Sequence, residues 1–219
     1  MTTPENTPVS LPNFTAISDY ERWAATNWVH PHGSLGAQYH AREKLAEETK
    51  ELVDALFQES KTDIIKEAGD VLWTACATAS NADITITEGL TLAFPGYFSP
   101  NAPITIADID ALAATLFDGI GLHDVTDYLD EGETVLGKKA KQWFVLRDGV
   151  ATSEKTFAEV WINLKRADAV EALTRTTLLI SFIAQHYANE GLNAVLDANY
   201  QKIEGRLKAG VAVTKAPLR

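Results

Sequence analysis

KLAEETKEL, residues Lys44–Leu52, puts three glutamates into five consecutive positions of an otherwise amphipathic helical pattern. Glu48 stands three residues after Leu45 and four before Leu52, so on a helix it borders the apolar stripe instead of pointing straight to water. Glu51 follows Glu48 at i+3. A second acidic pair recurs in IIKEAGDVLW: Glu67 lies three residues after Ile64 and four before Val71, with Asp70 again at i+3. Ser60-Lys61-Thr62-Asp63 fits a capping box, so a second helix starts almost where the first ends, and the two form an antiparallel hairpin. Counted from Ser60, Glu48 and Glu51 lie 12 and 9 residues back, while Glu67 and Asp70 lie 7 and 10 forward. At about 1.5 Å rise per residue, the four carboxylates reach a similar height on facing sides of the hairpin.

Four acids converging beside a core repel one another unless something positive holds them. Oxygen ligands without cysteine or histidine in register suit a hard cation, Mg²⁺, with Mn²⁺ as a substitute, and Mg²⁺ points to phosphate chemistry. The plainer alternative is a set of solvated helix faces paired with Lys44, Lys50 and Lys66. It accounts for one Glu pair more readily than for two at matched height. A di-iron site is disfavoured, since no histidine stands three residues after any of these acids.

Composition sets the limits around this hairpin. The chain has 219 residues, 46% hydrophobic, enough for a real core, and a net charge of −11 that argues against general nucleic-acid binding and against docking on anionic membrane. The single cysteine, Cys76, can form no internal disulfide, which fits a reducing, cytoplasmic setting. No stretch is long and apolar enough to span a bilayer, and MTTPENTPVSLP lacks the pattern of a signal peptide.

Helical periodicity runs over 17–29, 37–59, 61–81, 106–116, 156–165, 168–189 and 192–208. The expected fold is an all-α helical bundle. Residues 1–12 form a flexible arm, 13–209 a single helical domain and 210–219 a flexible tail. The domain divides into a motif-bearing half (13–91), an insertion (92–165) and C-terminal helices (166–209). TLAFPGYFSPNAPIT reads as a turn-rich break, and KQWFVLRDGVATSEKT, residues 141–156, as a short hairpin around Asp148-Gly149.

Glu47-Glu48-x-x-Glu51, a 15-residue gap, then Glu67-x-x-Asp70-Val71-Leu72-Trp73 resembles the MazG-like all-α nucleoside triphosphate pyrophosphohydrolases, which include helical dUTPases and dCTPases. The resemblance implies cleavage of a nucleoside triphosphate between the α and β phosphates, with Mg²⁺. It makes Glu48, Glu51, Glu67 and Asp70 metal ligands and Glu47 an auxiliary ligand or the orienter of the attacking water. ISDYERWAATNW is similar to the family's first helix, which makes Trp23, Asn27 and Trp28 candidates to meet the base, although tryptophans at helical spacing also serve as plain core. LDANYQKIEGR carries Asn199, Lys202 and Arg206 at spacings like those of the family's partner helix, but more than a hundred residues later than in compact members. At i, i+3 and i+7 the three can face one pocket and grip phosphate oxygens.

Two explanations suit that distance. Residues 66–90 and 173–196 share helical length and apolar spacing, with Thr174 and Thr177 in the places of Glu67 and Asp70, so the chain can be a pseudo-dimer with a degenerate second half; a simple insertion of 92–165 serves equally. Two weaker signals remain. His30-Pro31-His32 reads as a turn before it reads as a metal site, and Lys138, Lys139 and Lys141 beside Trp143 and Phe144 read as a solvated loop before a phosphate lid. The functional expectation is a Mg²⁺-dependent pyrophosphohydrolase that clears surplus or non-standard nucleotides. A non-catalytic nucleotide-binding or regulatory protein on the same scaffold is the alternative. Base preference and homodimer formation stay open.

Overall fold

The computed structural model describes residues 14–28, 35–80, 83–99, 101–129 and 155–211; the side chains of 35–39, 42 and 155–168 are not among them. The arm 1–12, most of the tail, His30-Pro31-His32, the proposed hairpin up to Glu154 and the Lys138–Phe144 loop lie outside the described residues. Within them the chain is all-α: α1 (Ile17–Thr26), α2 (Leu35–Phe57), α3 (Lys61–Ser80), α4 (Ile86–Ala93), α5 (Ile106–Leu116), α6 (122–129), α7 (Lys155–Ile183) and α8 (Leu192–Lys208).

The centre of the fold is α3, which is buried on every face from Glu67 to Ala79. A helix apolar all round belongs inside a bundle, and Ala68, Gly69, Ala75, Ala77 and Ala79 leave room for neighbours to approach closely. Its partners are α1, α2, α7 and α8. The α2–α3 turn closes tightly, with Glu59 in the left-handed region (φ 55°) and the Ser60 amide donating to the Ala55 carbonyl at 3.3 Å. Ser60 then starts α3: its hydroxyl donates to Asp63 and its carbonyl accepts from the Ile64 amide at 2.8 Å.

Three stretches differ from the periodicity reading. Residues 156–165 and 168–189 do not form two helices. One helix runs Lys155–Ile183, because Arg166-Ala167 contains no glycine or proline to break it, and a π-helical turn, Ala184–Ala188, follows before Asn189 turns left-handed at φ 61°. α4 is an added element, hidden by its β-branched start. Thr85 caps it by accepting from the Glu88 amide at 3.0 Å, and the Glu21 carboxylate of α1 accepts from the Ile86 and Thr87 amides. The helix at 122–129 is likewise additional.

α8 begins at Gly191, which has no capping side chain of its own. Asp110 of α5 supplies the cap from a distance: it accepts from the Leu192 amide at 3.1 Å and from the Ser181 hydroxyl of α7. One carboxylate therefore ties together three helices. α4 packs on α7 while α8 packs on α3, and Thr174 and Thr177 are buried with their hydroxyls donating to the Val170 and Leu173 carbonyls of their own helix. That reciprocal packing is the order two repeats would give, and an insertion accommodates it as well.

The α3–α8 contact is tight enough to test. A Cβ added at Gly69 would sit 2.9 Å from Asn199 Cβ and 3.0 Å from the Val195 carbonyl oxygen, neither of which is the free end of a flexible side chain. Gly69→Ala should therefore destabilise the fold by about 1–3 kcal/mol despite alanine's better helix propensity. Thermal unfolding checks this, and a Tm equal to or above that of the parent chain would contradict the close packing.

Candidate active site

Three carboxylates meet where α2 faces α3. Glu48, Glu67 and Asp70 each bring an oxygen to within 4.8 Å of the others, and they are only 7%, 6% and 4% exposed. The hairpin geometry explains this: Glu48 projects from α2, and Glu67 and Asp70, one turn apart, project from α3 toward it. Glu51 falls outside that group, exposed at the rim beside Glu67. Glu47 is also exposed at the rim and pairs with Lys44 at 2.7 Å. A cavity of ≈ 180 Å³ opens over the acids, lined on one side by Lys44, Glu47, Glu48 and Glu51 and on the other by Lys66, Asp70 and Trp73, with Lys202, Ile203 and Arg206 of α8 completing it.

Each buried acid has a lysine against it, and the lysines come from three different helices. Lys44 of α2 pairs with Glu48 at 2.7 Å, Lys66 of α3 pairs with Glu67, and Lys202 of α8 pairs with Asp70. Asp70 also accepts from the Asn199 amide at 2.9 Å. Lys50, by contrast, pairs with Asp54 on the outer face, away from the site. The lysine pairing of the plainer alternative is thus partly realised, but it extends from solvated acids such as Glu47 and Asp54 to the buried ones.

Even so, the acids are not fully compensated. Among the described residues, Glu67 Oε2 is buried with no hydrogen-bond partner, a costly state for a carboxylate oxygen. Burial pushes the Glu48 carboxyl above its usual range, with the Asp70 charge adding to the rise and the Lys44 hydrogen bond opposing it. The Glu51 carboxyl is also raised, by burial and then by the neighbouring Glu67. An orphaned oxygen, crowded carboxylates and an all-oxygen donor set are what a hard divalent cation would satisfy.

The other expected contacts divide. Asn199 is buried and bonded to Asp70, and Lys202 and Arg206 line the cavity, so α8 does present all three toward the acids. Trp23 and Asn27 do not line it. The Trp23 ring packs against Phe14, Tyr20 and Tyr200, its indole N–H donates to Glu204 at 3.4 Å, and the Asn27 amide donates back to the Trp23 carbonyl at the end of α1. Trp28 lies one layer behind the wall, its ring centroid 5.0 Å from that of Trp73, with His40 on its other flank. Trp73 was part of the quoted motif but not singled out as a contact. It forms the cavity wall, and among the described residues its indole N–H has no partner. Lys44 and Lys66 were also overlooked as site residues; their i+4 and i+1 spacing to Glu48 and Glu67 was the available signal.

Residues 38–93 match the family model of the MazG nucleotide pyrophosphohydrolase domain. This stretch is MazG-like. It spans most of α2, all of α3 and α4, and with them every acid of the site. The MazG-like stretch includes neither α1 nor α8, so the chain's own tertiary packing brings Lys202, Arg206 and Asn199 to it. No curated protein and no solved structure matched the chain.

A bound cation should register as stability. Mg²⁺ at a hundredfold excess over its Kd should stabilise the chain by about 2.7 kcal/mol, and Glu67→Gln should abolish that gain while leaving metal-free helicity intact. Thermal unfolding by circular dichroism, with and without Mg²⁺, reads both. An equal Mg²⁺-dependent rise in parent and variant would remove Glu67 from the ligand set.

Proposed function

We propose that the chain is a metal-dependent nucleoside triphosphate pyrophosphohydrolase that releases a nucleoside monophosphate and pyrophosphate, with Mg²⁺ the working metal and Mn²⁺ its substitute. The observation that carries this reading is the buried Glu48–Glu67–Asp70 group within a MazG-like stretch, left with an orphaned carboxylate oxygen and ringed by four cationic side chains. Glu48, Glu67 and Asp70, with Glu51 at the rim, would hold the metal, which would supply charge stabilisation to a phosphoryl group and its attacking water.

The chain's own residues do the rest. Glu47, exposed at the mouth, accepts a hydrogen bond from the attacking water and orients it toward the α phosphorus. Lys44, Lys66, Lys202 and Arg206 turn their charges to the phosphate oxygens once the carboxylates are otherwise neutralised. At ≈ 180 Å³ the cavity is smaller than the roughly 300 Å³ at which pockets begin to enclose a whole ligand. It receives the phosphate end, and the base lies outside against neighbouring surface, with Trp73 in one wall and Trp28 packed at a tilt behind it. The role fits nucleotide-pool house-cleaning in the cytoplasm, carried out by one helical domain, 13–209, in which a homodimer is compatible with the fold.

With a panel of nucleotides that includes dUTP, dCTP and damaged bases, and with Mg²⁺ present, the expected products are monophosphate and pyrophosphate in equal amounts. Inorganic phosphate as the primary product would refute the α–β cleavage. Asp70→Asn should lower kcat by roughly a hundredfold or more. Lys202→Ala should cost about tenfold in kcat/KM, about 1.4 kcal/mol. Nucleotide binding by the parent chain without turnover of any member would favour the non-catalytic binding protein instead.

A further inference from the structure

Tyr20 of α1 is completely buried, and its hydroxyl donates to Asn199 Oδ1 of α8 at 3.1 Å. The same amide donates from Nδ2 to Asp70 Oδ1 of α3 at 2.9 Å, and Asn199 is 1% exposed. A carboxamide has one accepting end and one donating end, nearly identical in shape and exchangeable by a half-turn. What selects between them here is Asp70, whose carboxylate can only accept, and the phenol holds that choice in place. The NH₂ must face Asp70, which leaves the amide oxygen to accept from the Tyr20 hydroxyl, and the two bonds together fix the carboxamide in place. After a half-turn, an oxygen would face the Asp70 carboxylate, in a place where water cannot compensate the clash.

Asp70 has two oxygens with different partners. Oδ1 is held by Asn199, while Oδ2 carries the Lys202 ammonium, a mobile cation on a flexible stem. We infer that Tyr20 is a positioning residue for the candidate metal site: by locking the Asn199 amide it fastens Asp70 through Oδ1 and leaves Oδ2 as the oxygen that exchanges its ammonium for a divalent cation. Tyr20 and Asn199 both lie outside the MazG-like stretch 38–93, so this buried chain of two hydrogen bonds joins three helices at the site by tertiary structure alone. The inference rests on the metal-site reading above.

The test is Mn²⁺ affinity, read by electron paramagnetic resonance on the full chain without nucleotide. Tyr20→Phe keeps the ring and deletes the donor; its Kd for Mn²⁺ should rise about tenfold. Asn199→Ala should lose a comparable factor, and the double variant should be no worse than Asn199→Ala alone, because Tyr20 acts through that amide. A lower Tm with unchanged Kd would mark Tyr20 as structural only, and independent, multiplying losses in the double variant would also overturn the inference. Failure of the parent chain to bind Mn²⁺ would remove the metal reading and this inference with it. Were Tyr20→Phe not to fold, the side-chain amide of Asn199 in the parent chain decides by NMR: it should be protected from solvent exchange and shift on Mg²⁺ addition, and the absence of either refutes the lock.

Discussion

Mutual repulsion among Glu48, Glu67 and Asp70 is the constraint on which the rest of this structure depends. Three carboxylates with oxygens inside 4.8 Å of one another, each less than a tenth exposed, repel one another strongly unless positive charge lies close by. The chain supplies three lysines, from α2, α3 and α8, and among the described residues one oxygen of Glu67 is still left without a partner. A core built only for stability has cheaper options, since apolar residues of the same volume would avoid the desolvation cost altogether. Holding this group in place therefore makes physical sense as preparation for a stronger cation than lysine.

Everything around the acids serves to keep them fixed. The short turn at Glu59 and Ser60 sets the heights of α2 and α3, so that Glu48 faces Glu67 and Asp70 without adjustment. Gly69 lets α8 come close enough for Asn199 to reach Asp70. Asp110 of α5 anchors the start of α8 and also holds Ser181 of α7, at the other end of α8 from Lys202 and Arg206. Destabilising interactions at the site are thus offset by packing and capping elsewhere, which is how strained or crowded functional groups persist.

Size does not mark the site. A much larger cavity, ≈ 750 Å³, opens beside α4 and α7, walled mainly by apolar groups such as Leu92, Phe94, Phe117 and Leu178. Among the described residues its lining carries one carboxylate, Glu171, and one guanidinium, Arg175, and no cluster of acids. The smaller opening over the acids has both signs of charge at close range, and that combination, not volume, is what phosphate chemistry requires.

Local rules carried much of this protein. The i, i+3 spacing of Glu48 with Glu51 and of Glu67 with Asp70, the three-residue link at Ser60 and the apolar stripes were enough to read an all-α fold and the acidic centre, because helix geometry converts spacing directly into position. The bounds 106–116 and 192–208 were equally legible from their periodicity. Where one long-range partner decides, the same reasoning had nothing to work with. Trp23 shares a helix with Tyr20 and Asn27 caps its end, yet only Tyr20 reaches toward the site, since that depends on how α1 rotates against α3 and α8. Glu51 shares the motif of Glu48 but ends at the rim, because the buried stripe of α2 runs through Leu45, Glu48, Thr49, Leu52 and Ala55 and Glu51 falls just outside it. The lysine partner of Asp70 lies 132 residues away, and no period in the chain links them. Spacing along a helix is set by covalent geometry, but which helix meets which, and at what rotation, is set by packing the whole core at once.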